Sequence, residues 1–431
     1  VAHLVYPGAV HSRFEHSIGA YAHALMYLKA LGENRNSPWF NTNFGSEETK
    51  ALAFTALVHD IGHYPFAHQL EDLDNWPRHE LLSSQILDGS ILNEYPTLEK
   101  DFGDPGQILK IAQELWGLDP ALVRQMFSYC YRGDLPARPG GWDGLPKAWR
   151  AAAQIVNGPI DGDKLDYLGR DSHHCGVSYG LLNDPSRFLS SLTIAFDDQG
   201  THLAVTEKGR VDAEFIPVIR YAMFSEVYWH HTVRSFTTML RSALRLAATW
   251  ADGALTVENL LRWSDDRAIH ELRTSATLRK DVAVSELLTL LMERKPYARM
   301  YTLIRENNPK LYEALTANRV QLMSGQTAAA DAEMIKNVFD ITGCEPHEIL
   351  WDIPRPGKDR LEDVRIADLH GDITAQNPGP LWGSLSQNFE QWVRKVRLFV
   401  HPKRRPRRLH RVEEIQRHRN IGVLLGSRFG I

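Results

Sequence analysis

The chain has 431 residues, 43% of them hydrophobic and 24% charged, with a formal charge of −4 at neutral pH. That length leaves room for two or three domains and for a core that needs no covalent staples, and so modest a charge carries no global nucleic-acid signature. Cys130, Cys175 and Cys344 are widely spaced, odd in number and without a CxxC pair, which argues against a disulfide framework and for a reducing, cytoplasmic compartment. Any metal would then be held by His and carboxylate. No run of about 18 apolar residues occurs, so no membrane span is expected. The sequence opens on Val1 in mid-pattern, without an initiator Met or a signal peptide, so an upstream segment is expected.

Residues 1–13 read as a short apolar stretch and a Pro-Gly turn that deliver the chain to a helix over Glu15 to Leu31, where Ile18, Tyr21, Leu25 and Leu28 recur at helical spacing. His16 falls in its first turn. Asn34 to Glu48, rich in Asn, Gly and Ser, reads as a surface loop. From Ala51 an apolar run fills with imidazoles, ALAFTALVHDIGHYPFAHQLE, and is expected to be helical to His63, closed by Tyr64-Pro65. His59 and His63, four residues apart, would then share a helical face. His68 follows, and Trp76 to Glu80 opens another helix. Two short helices are expected over 100–130. The stretch 132–146, with three Pro and four Gly, is a loop and a lid candidate. A helix near 148–157 leads into a second from Asp161 to His174, with Asp163, Asp166 and Arg170 along one side.

Residues 191–215 alternate apolar and polar about Asp197 to Gly200, a hairpin signal. A long helix is expected from about 216 to 250, then three or four more to 340. Short alternating strands are expected after Ile353 and at 395–402. The predicted fold is mainly α, with a helical bundle over 1–190 and a β-hairpin insertion over 191–215. A helical extension over 216–345 completes the core and makes oligomer contacts, and a mixed α+β appendage with a basic tail covers 346–431.

The residues that suggest chemistry are His16, the His59-Asp60 pair and Asp163. Imidazoles and carboxylates from three helices suit a divalent ion such as Mn, Fe, Zn, Co or Ni, and Mg less well. Such an ion would acidify water and neutralise a phosphoryl oxygen. A His-Asp pair alone could equally be a core pair satisfied by backbone carbonyls, but a second set, His63, His68, His79 and Glu80, follows at once and could protonate a leaving oxygen. Arg13, Lys164 and Arg170 flank the ligands and could clamp phosphates. Their joint placement favours a metal-dependent phosphohydrolase.

HSRFEHSIG at 11–19, HDIGHYPFAH at 59–68, RHE at 78–80 and DGDKLDYLGRDSHHCG at 161–176 together resemble the HD-domain phosphohydrolases, and within them the deoxynucleoside triphosphate triphosphohydrolases of the dGTPase-like, bacterial branch. The resemblance is dense over 1–183 and looser to about 400. It implies that 1–190 is an HD-domain catalytic core and that His16, His59, Asp60 and Asp163 hold a divalent metal. It makes His68 the acid near the α-phosphate, oriented by Glu80, with His63 and His79 lining a phosphate channel. Arg13 and Lys164 would contact phosphates, and Tyr167 and Asp171 would face a deoxyribose. The implied reaction turns a dNTP into a deoxynucleoside and inorganic triphosphate.

This chain departs from the family at several places. The Gln-Leu-Gly that reads the sugar 3′-hydroxyl would precede Val1, and an Arg and a Tyr near the substrate fall on Val227 and Ser235. Tyr228, His231 and Arg234 are the alternative substrate candidates there. The run Lys403 to Arg411 holds six cations in nine residues; it would be a solvated block, a site for an allosteric nucleotide at a subunit interface, shared with Arg355, Lys358 and Arg360, or a site for single-stranded nucleic acid. The family's habit implies a homo-oligomer, a dimer, tetramer or hexamer. Two other functions stay open: an HD hydrolase of a nucleoside monophosphate or cyclic nucleotide, and a nucleotide- or nucleic-acid-binding regulator.

Overall fold

The computed structural model describes residues 1–34, 39–73, 76–102, 106–131, 147–198, 200–251, 253–324, 348–355, 363–368, 370–404 and 411–428. The lid candidate at 132–146, Cys344, Lys358, Arg360 and 405–410 of the basic run lie outside them.

Helix α1 (Arg13–Glu33) begins where Ser12 and Glu15 cap each other: the Ser12 hydroxyl accepts from the Glu15 amide at 3.2 Å, and Glu15 Oε2 accepts from the Ser12 amide at 2.5 Å. The stretch expected to be a loop holds, among its described residues, a short helix, Trp39–Asn43, whose Phe40 packs on Phe44 with ring centroids 5.0 Å apart. Phe40 and Phe44 anchor this polar stretch in the core while Asn41, Thr42 and Asn43 stay exposed. Helix α2 (Ser46–Val58) carries Ala51 to Ala56 into the core.

It stops at Val58, five residues before the expected end. The amide of Gly62 is taken by the buried Ser83 hydroxyl at 2.8 Å instead of by a carbonyl of the preceding turn. A Cβ on Gly62 would lie 2.2 Å from Ser83 N and 2.4 Å from His79 O, so the turn closes directly on the following helix, and only glycine permits that approach. His59 therefore caps the helix and His63 lies beyond it, so the two do not share a helical face. Phe66 then adopts a left-handed conformation, φ 59° and ψ 26°, before the single turn α3 (Ala67–Leu70). Helix α4 (His79–Asp88) ends at Gly89.

The two helices expected over 100–130 are Gln107–Trp116 and Pro120–Cys130. Helix α5 (Gly162–Cys175) starts on Asp161, whose carboxylate accepts from the Lys164 amide at 2.6 Å, and ends on Gly176 at φ 68°. The long helix expected over 216–250 is two, α6 (Arg210–Met223) and α7 (His231–Ala247), separated by a π-helical turn at Phe224–Tyr228. There Trp229 N reaches back five residues to Phe224 O, and His230 is extended. Beyond α7, helix α8 (Val282–Met292) packs along it.

The described strands are β1 (Leu192–Asp197), β2 (Gly200–Thr206), β3 (Ala298–Leu303), β4 (Ile349–Asp352), β5 (Arg365–Ala367), β6 (Ile373–Ala375) and β7 (Val396–Val400). β1 and β2 form the expected antiparallel hairpin, which β5 extends in parallel and β6 closes. The second sheet runs β3-β7-β4, all antiparallel. β3 lies in a stretch expected to be wholly helical.

The molecule is mainly helical with two small sheets. One large core joins α1, α2 and the first sheet, and another joins α4, α7 and α8. Ala56 belongs to the first and Tyr64 to the second, so the His59 to His63 turn bridges them. Among the described residues no helix is long and apolar enough to cross a membrane.

Candidate metal centre and histidine cluster

Helices α2 and α5 both pack on α1, and this brings His16, His59, Asp60 and Asp163 together. His16 Nε2 lies 3.0 Å from Asp163 Oδ1 and 3.7 Å from Asp60 Oδ2. His59 Nε2 lies 3.5 Å from Asp60 Oδ1 and 3.6 Å from Asp163 Oδ1. The other nitrogen of each ring is committed: His16 Nδ1 to Asp166 Oδ2 at 2.8 Å, His59 Nδ1 to the Ala56 carbonyl at 2.8 Å. Asp166 is in turn held by both Nε and Nη2 of Arg170, at 2.9 and 2.7 Å. His59 Nε2 is buried and has no hydrogen-bond partner. Two imidazole nitrogens fixed from behind converge with the Asp163 carboxylate, and Asp60 stands beside both rings, an arrangement that matches the donor set of a divalent transition ion and its supporting hydrogen bonds.

The second cluster adjoins the first through Asp60, whose Oδ2 is 3.3 Å from His63 Nδ1. The His63 and His79 rings stack with centroids 3.6 Å apart, and His63 Nε2 is 3.4 Å from His68 Nε2. The carboxylate that serves this cluster belongs to Glu71. Its Oε1 accepts from the His79 amide at 2.8 Å and lies 2.6 Å from His79 Nδ1, while its Oε2 is 3.4 Å from His68 Nδ1. The expected role of Glu80 is thus corrected: it pairs with Arg78 and lies 3.4 Å from His79 Nε2, and it is Glu71 that touches His68. Its place three residues after His68 on a helical turn was the signal that could have found it.

Arg13 Nη1 donates to the His63 and Tyr64 carbonyls, at 2.9 and 3.1 Å, and so sits over the turn between the clusters. Lys164 Nζ donates to Asp161 at 2.6 Å and to the Gly158 carbonyl at 2.8 Å. Asp171 accepts from Tyr228 Oη at 2.5 Å and lies 2.8 Å from His11 Nε2, while Tyr167 packs against Leu168, Ile219 and Met223. Of the alternative candidates, Tyr228 thus joins this wall, whereas Arg234 pairs with Asp352 elsewhere.

Residues 13–114 match the HD domain family, and residues 184–391 match the family described as HD associated region. The motif that gives this domain its name is here the His59-Asp60 pair. The chain carries an HD domain. An uncharacterized protein of Methanocaldococcus jannaschii is 29% identical over 245 residues, 57% of this chain and 41% of that protein. The deoxynucleoside triphosphate triphosphohydrolase SAMHD1 of Danio rerio is 29% identical over 252 residues, 56% of this chain and 38% of that protein. The chain therefore spans about two fifths of the length of these curated relatives. A crystal structure of a phosphohydrolase from Bacteroides thetaiotaomicron shares the fold, with a TM-score of 0.60, 23% identity and coverage of 93% of this chain and 90% of that one.

The electrostatics of the HD site divide the two clusters. Burial opposes charge on both His16 and His59, but for His16 the hydrogen bonds to Asp163 and Asp166 outweigh it and lift the pKa to about 10, and for His59 the nearby charges of Asp60 and Asp163 lift it to about 9. Burial likewise opposes ionisation of Asp60 and Asp163, yet the facing imidazoles hold both carboxyls below their ordinary value. Protons here stand in for the positive charge that the carboxylates call for. In the second cluster, burial pushes His63 down to about 4, with the charges of His79 and His68 adding to it against Asp60. His79 goes the other way, raised by Glu71 despite burial. Burial thus favours the neutral imidazole at His63 while Glu71 favours the protonated one at His79, a contrast of the kind a proton relay uses.

Proposed function

We propose that this protein is a metal-dependent phosphohydrolase that acts on deoxynucleoside triphosphates and releases deoxynucleoside and inorganic triphosphate. The observation that carries this reading is the pairing of the His16, His59 and Asp163 donor group, with Asp60 beside it, with a separate His-Glu relay one residue contact away, through Asp60 and His63. The likeness to a deoxynucleoside triphosphate triphosphohydrolase supports the choice of substrate.

A divalent ion on those four residues would supply Lewis-acid neutralisation of a phosphoryl oxygen and a water of lowered pKa. In the reaction, the water oxygen bonds to the α-phosphorus, the bond from that phosphorus to the 5′-oxygen breaks, and the 5′-oxygen takes a proton. His68 is the group that holds that proton, since its side chain is more than half exposed and Glu71 orients its Nδ1. His63, neutral and stacked between Asp60 and His79, passes protons between the clusters. Arg13 binds phosphate oxygens over the turn, and Lys164, held by Asp161, supplies a second positive edge. Tyr167 and the Asp171-Tyr228 pair form the wall that meets the sugar.

The protein acts as a homo-oligomer in this reading, with a regulatory nucleotide at a subunit contact. The described start of the basic run is tied down, Lys403 to Glu286 and Arg404 to Glu348, both at 2.8 Å. With those two cations engaged by glutamates, such a nucleotide or single-stranded nucleic acid would be met by the other cations of the run.

Product analysis tests the reading. Purified protein is incubated with each dNTP, singly and mixed, with Mn²⁺, Mg²⁺ or Co²⁺, and the products are resolved by ion exchange. Deoxynucleoside and triphosphate in equal amounts are expected, and turnover confined to mixtures identifies a nucleotide activator. Survival of every dNTP, with turnover of a monophosphate or cyclic nucleotide instead, overturns the substrate assignment and keeps the hydrolase.

A further inference from the structure

A cavity of about 160 Å³ is lined by His68, Asp72, Arg234, Arg241, Arg355 and Arg394, together with neighbouring apolar and polar groups. None of His16, His59, Asp60 and Asp163 lines it; His68 is its one link to the histidine cluster. Its floor is set by α7, which carries both Arg234 and Arg241, and its rim by the turn after β4, which carries Arg355.

Arg241 is the informative residue. Its side chain is only 4% exposed, and its Nη2 meets Asp72 Oδ2 at 2.9 Å. Its Nη1 and Nε are buried without any hydrogen-bond partner. Asp72 cannot satisfy them, because the same carboxylate lies 3.2 Å from Arg355 Nε and 3.8 Å from Arg319 Nη2. Arg234 is fixed at the wall by Asp352 and by stacking 4.3 Å from the Trp229 ring centroid. A buried guanidinium with open N–H groups facing a polar cavity carries a desolvation cost that an anion removes. Guanidinium forks match phosphate oxygens in geometry as well as charge.

We infer that this cavity is a binding site for a phosphate-class oxyanion, held by Arg241 from within and by Arg355 at the rim. Its volume is below the roughly 300–1,000 Å³ of pockets that enclose drug-sized ligands, so it admits one or two phosphoryl groups and excludes a nucleoside. The anion is either free, as inorganic phosphate or pyrophosphate, or the distal phosphates of a nucleotide whose reacting end lies past His68. The site stands on its own geometry and does not depend on the reaction proposed above.

The test titrates pyrophosphate calorimetrically into the full chain carrying His59→Ala and dialysed against chelator, so that no metal can recruit the anion. Stoichiometric binding is expected, weakened at least tenfold by Arg241→Gln and by Arg355→Gln. Arg355 is 38% exposed, so its variant decides the matter even if the buried one fails to fold. No binding at millimolar pyrophosphate, or an affinity that neither variant changes, overturns the site. Where pyrophosphate binds, a second arm adds dATP or deoxyadenosine as competitor to the same metal-free His59→Ala protein, in which no turnover can release free triphosphate. Displacement by dATP alone assigns the site to a nucleotide's phosphates, and displacement by neither assigns it to the free anion; both results uphold it.

Discussion

At the scale of single residues, the HD site separates groups that touch a ligand from groups that hold those groups still. In the proposed metal site His59 and Asp60 are of the first kind, so His59→Ala or Asp60→Ala is expected to abolish metal content and turnover together while leaving the far-ultraviolet circular dichroism unchanged. A variant that lost its metal and still turned over substrate would sink the mechanism. Asp166 is of the second kind. It touches His16 only through Nδ1, and Arg170 grips both its oxygens. Replacing a carboxylate behind a ligating imidazole typically costs 10–100-fold in metal affinity, so Asp166→Asn should weaken Mn²⁺ binding by about that factor with stoichiometry unchanged. Unaltered affinity would make the Asp166 contact incidental. That His16, His59, Asp60 and Asp163 come together was legible because each stands in a short motif. Glu71 was overlooked because it stands outside those motifs, although its place three residues after His68 on one helical turn was a usable signal.

At the scale of elements, the informative error is the end of α2. Apolar periodicity runs on through Ile61, so the sequence favours a helix to His63, but the fold withdraws the Gly62 amide to Ser83, twenty-one residues away. A long-range bond outbid a local one, and single-sequence patterns do not carry such information. That turn sets Asp60 and His63 on one side and so joins the two clusters. Gly62→Ala would drive a Cβ against Ser83 N and His79 O, which are backbone atoms that cannot swing aside. A loss of about 1–3 kcal/mol is expected from overpacking of this kind, read by chemical denaturation. Because α4 must recede, the His63-His79 stack opens, and turnover should fall more than metal affinity does. A Gly62→Ala protein of wild-type stability would show that the turn has slack. The split of the 216–250 helix has the same character: a π-helical turn keeps the apolar face in register while shifting it, so composition does not reveal the break.

At the scale of the whole molecule, the hairpin, β5 and β7 were legible as strands, whereas β3, β4 and every pairing beyond the hairpin were not. β5 pairs with the early hairpin and carries β6, and β7 pairs with β3 and carries β4, so the end of the chain is stitched to elements that precede it by far. Asp352 is one of the stitches. It ends β4, is fully buried, and meets Arg234 of α7 and Arg397 of β7, the latter at 3.4 Å. Burial disfavours its ionised form, but the charge and hydrogen bonds of Arg234, with Arg397 adding, hold its carboxyl below the ordinary value. A group whose pKa is lower folded than unfolded adds stability that is complete above the unfolded value, near 3.9, and fades as pH falls through the folded one. Asp352→Asn leaves two guanidiniums facing an amide, and breaking a buried pair in this way costs about 3–5 kcal/mol at neutral pH. The gap in stability between wild type and Asp352→Asn should then hold from pH 7 to about 5 and narrow below pH 4, as the wild-type carboxyl takes up the proton that the amide never needed. Denaturant titrations at pH 7, 5 and 3.5 read this directly. A gap that stays constant to pH 3.5 would place the value of Asp352 in its shape and not in its charge.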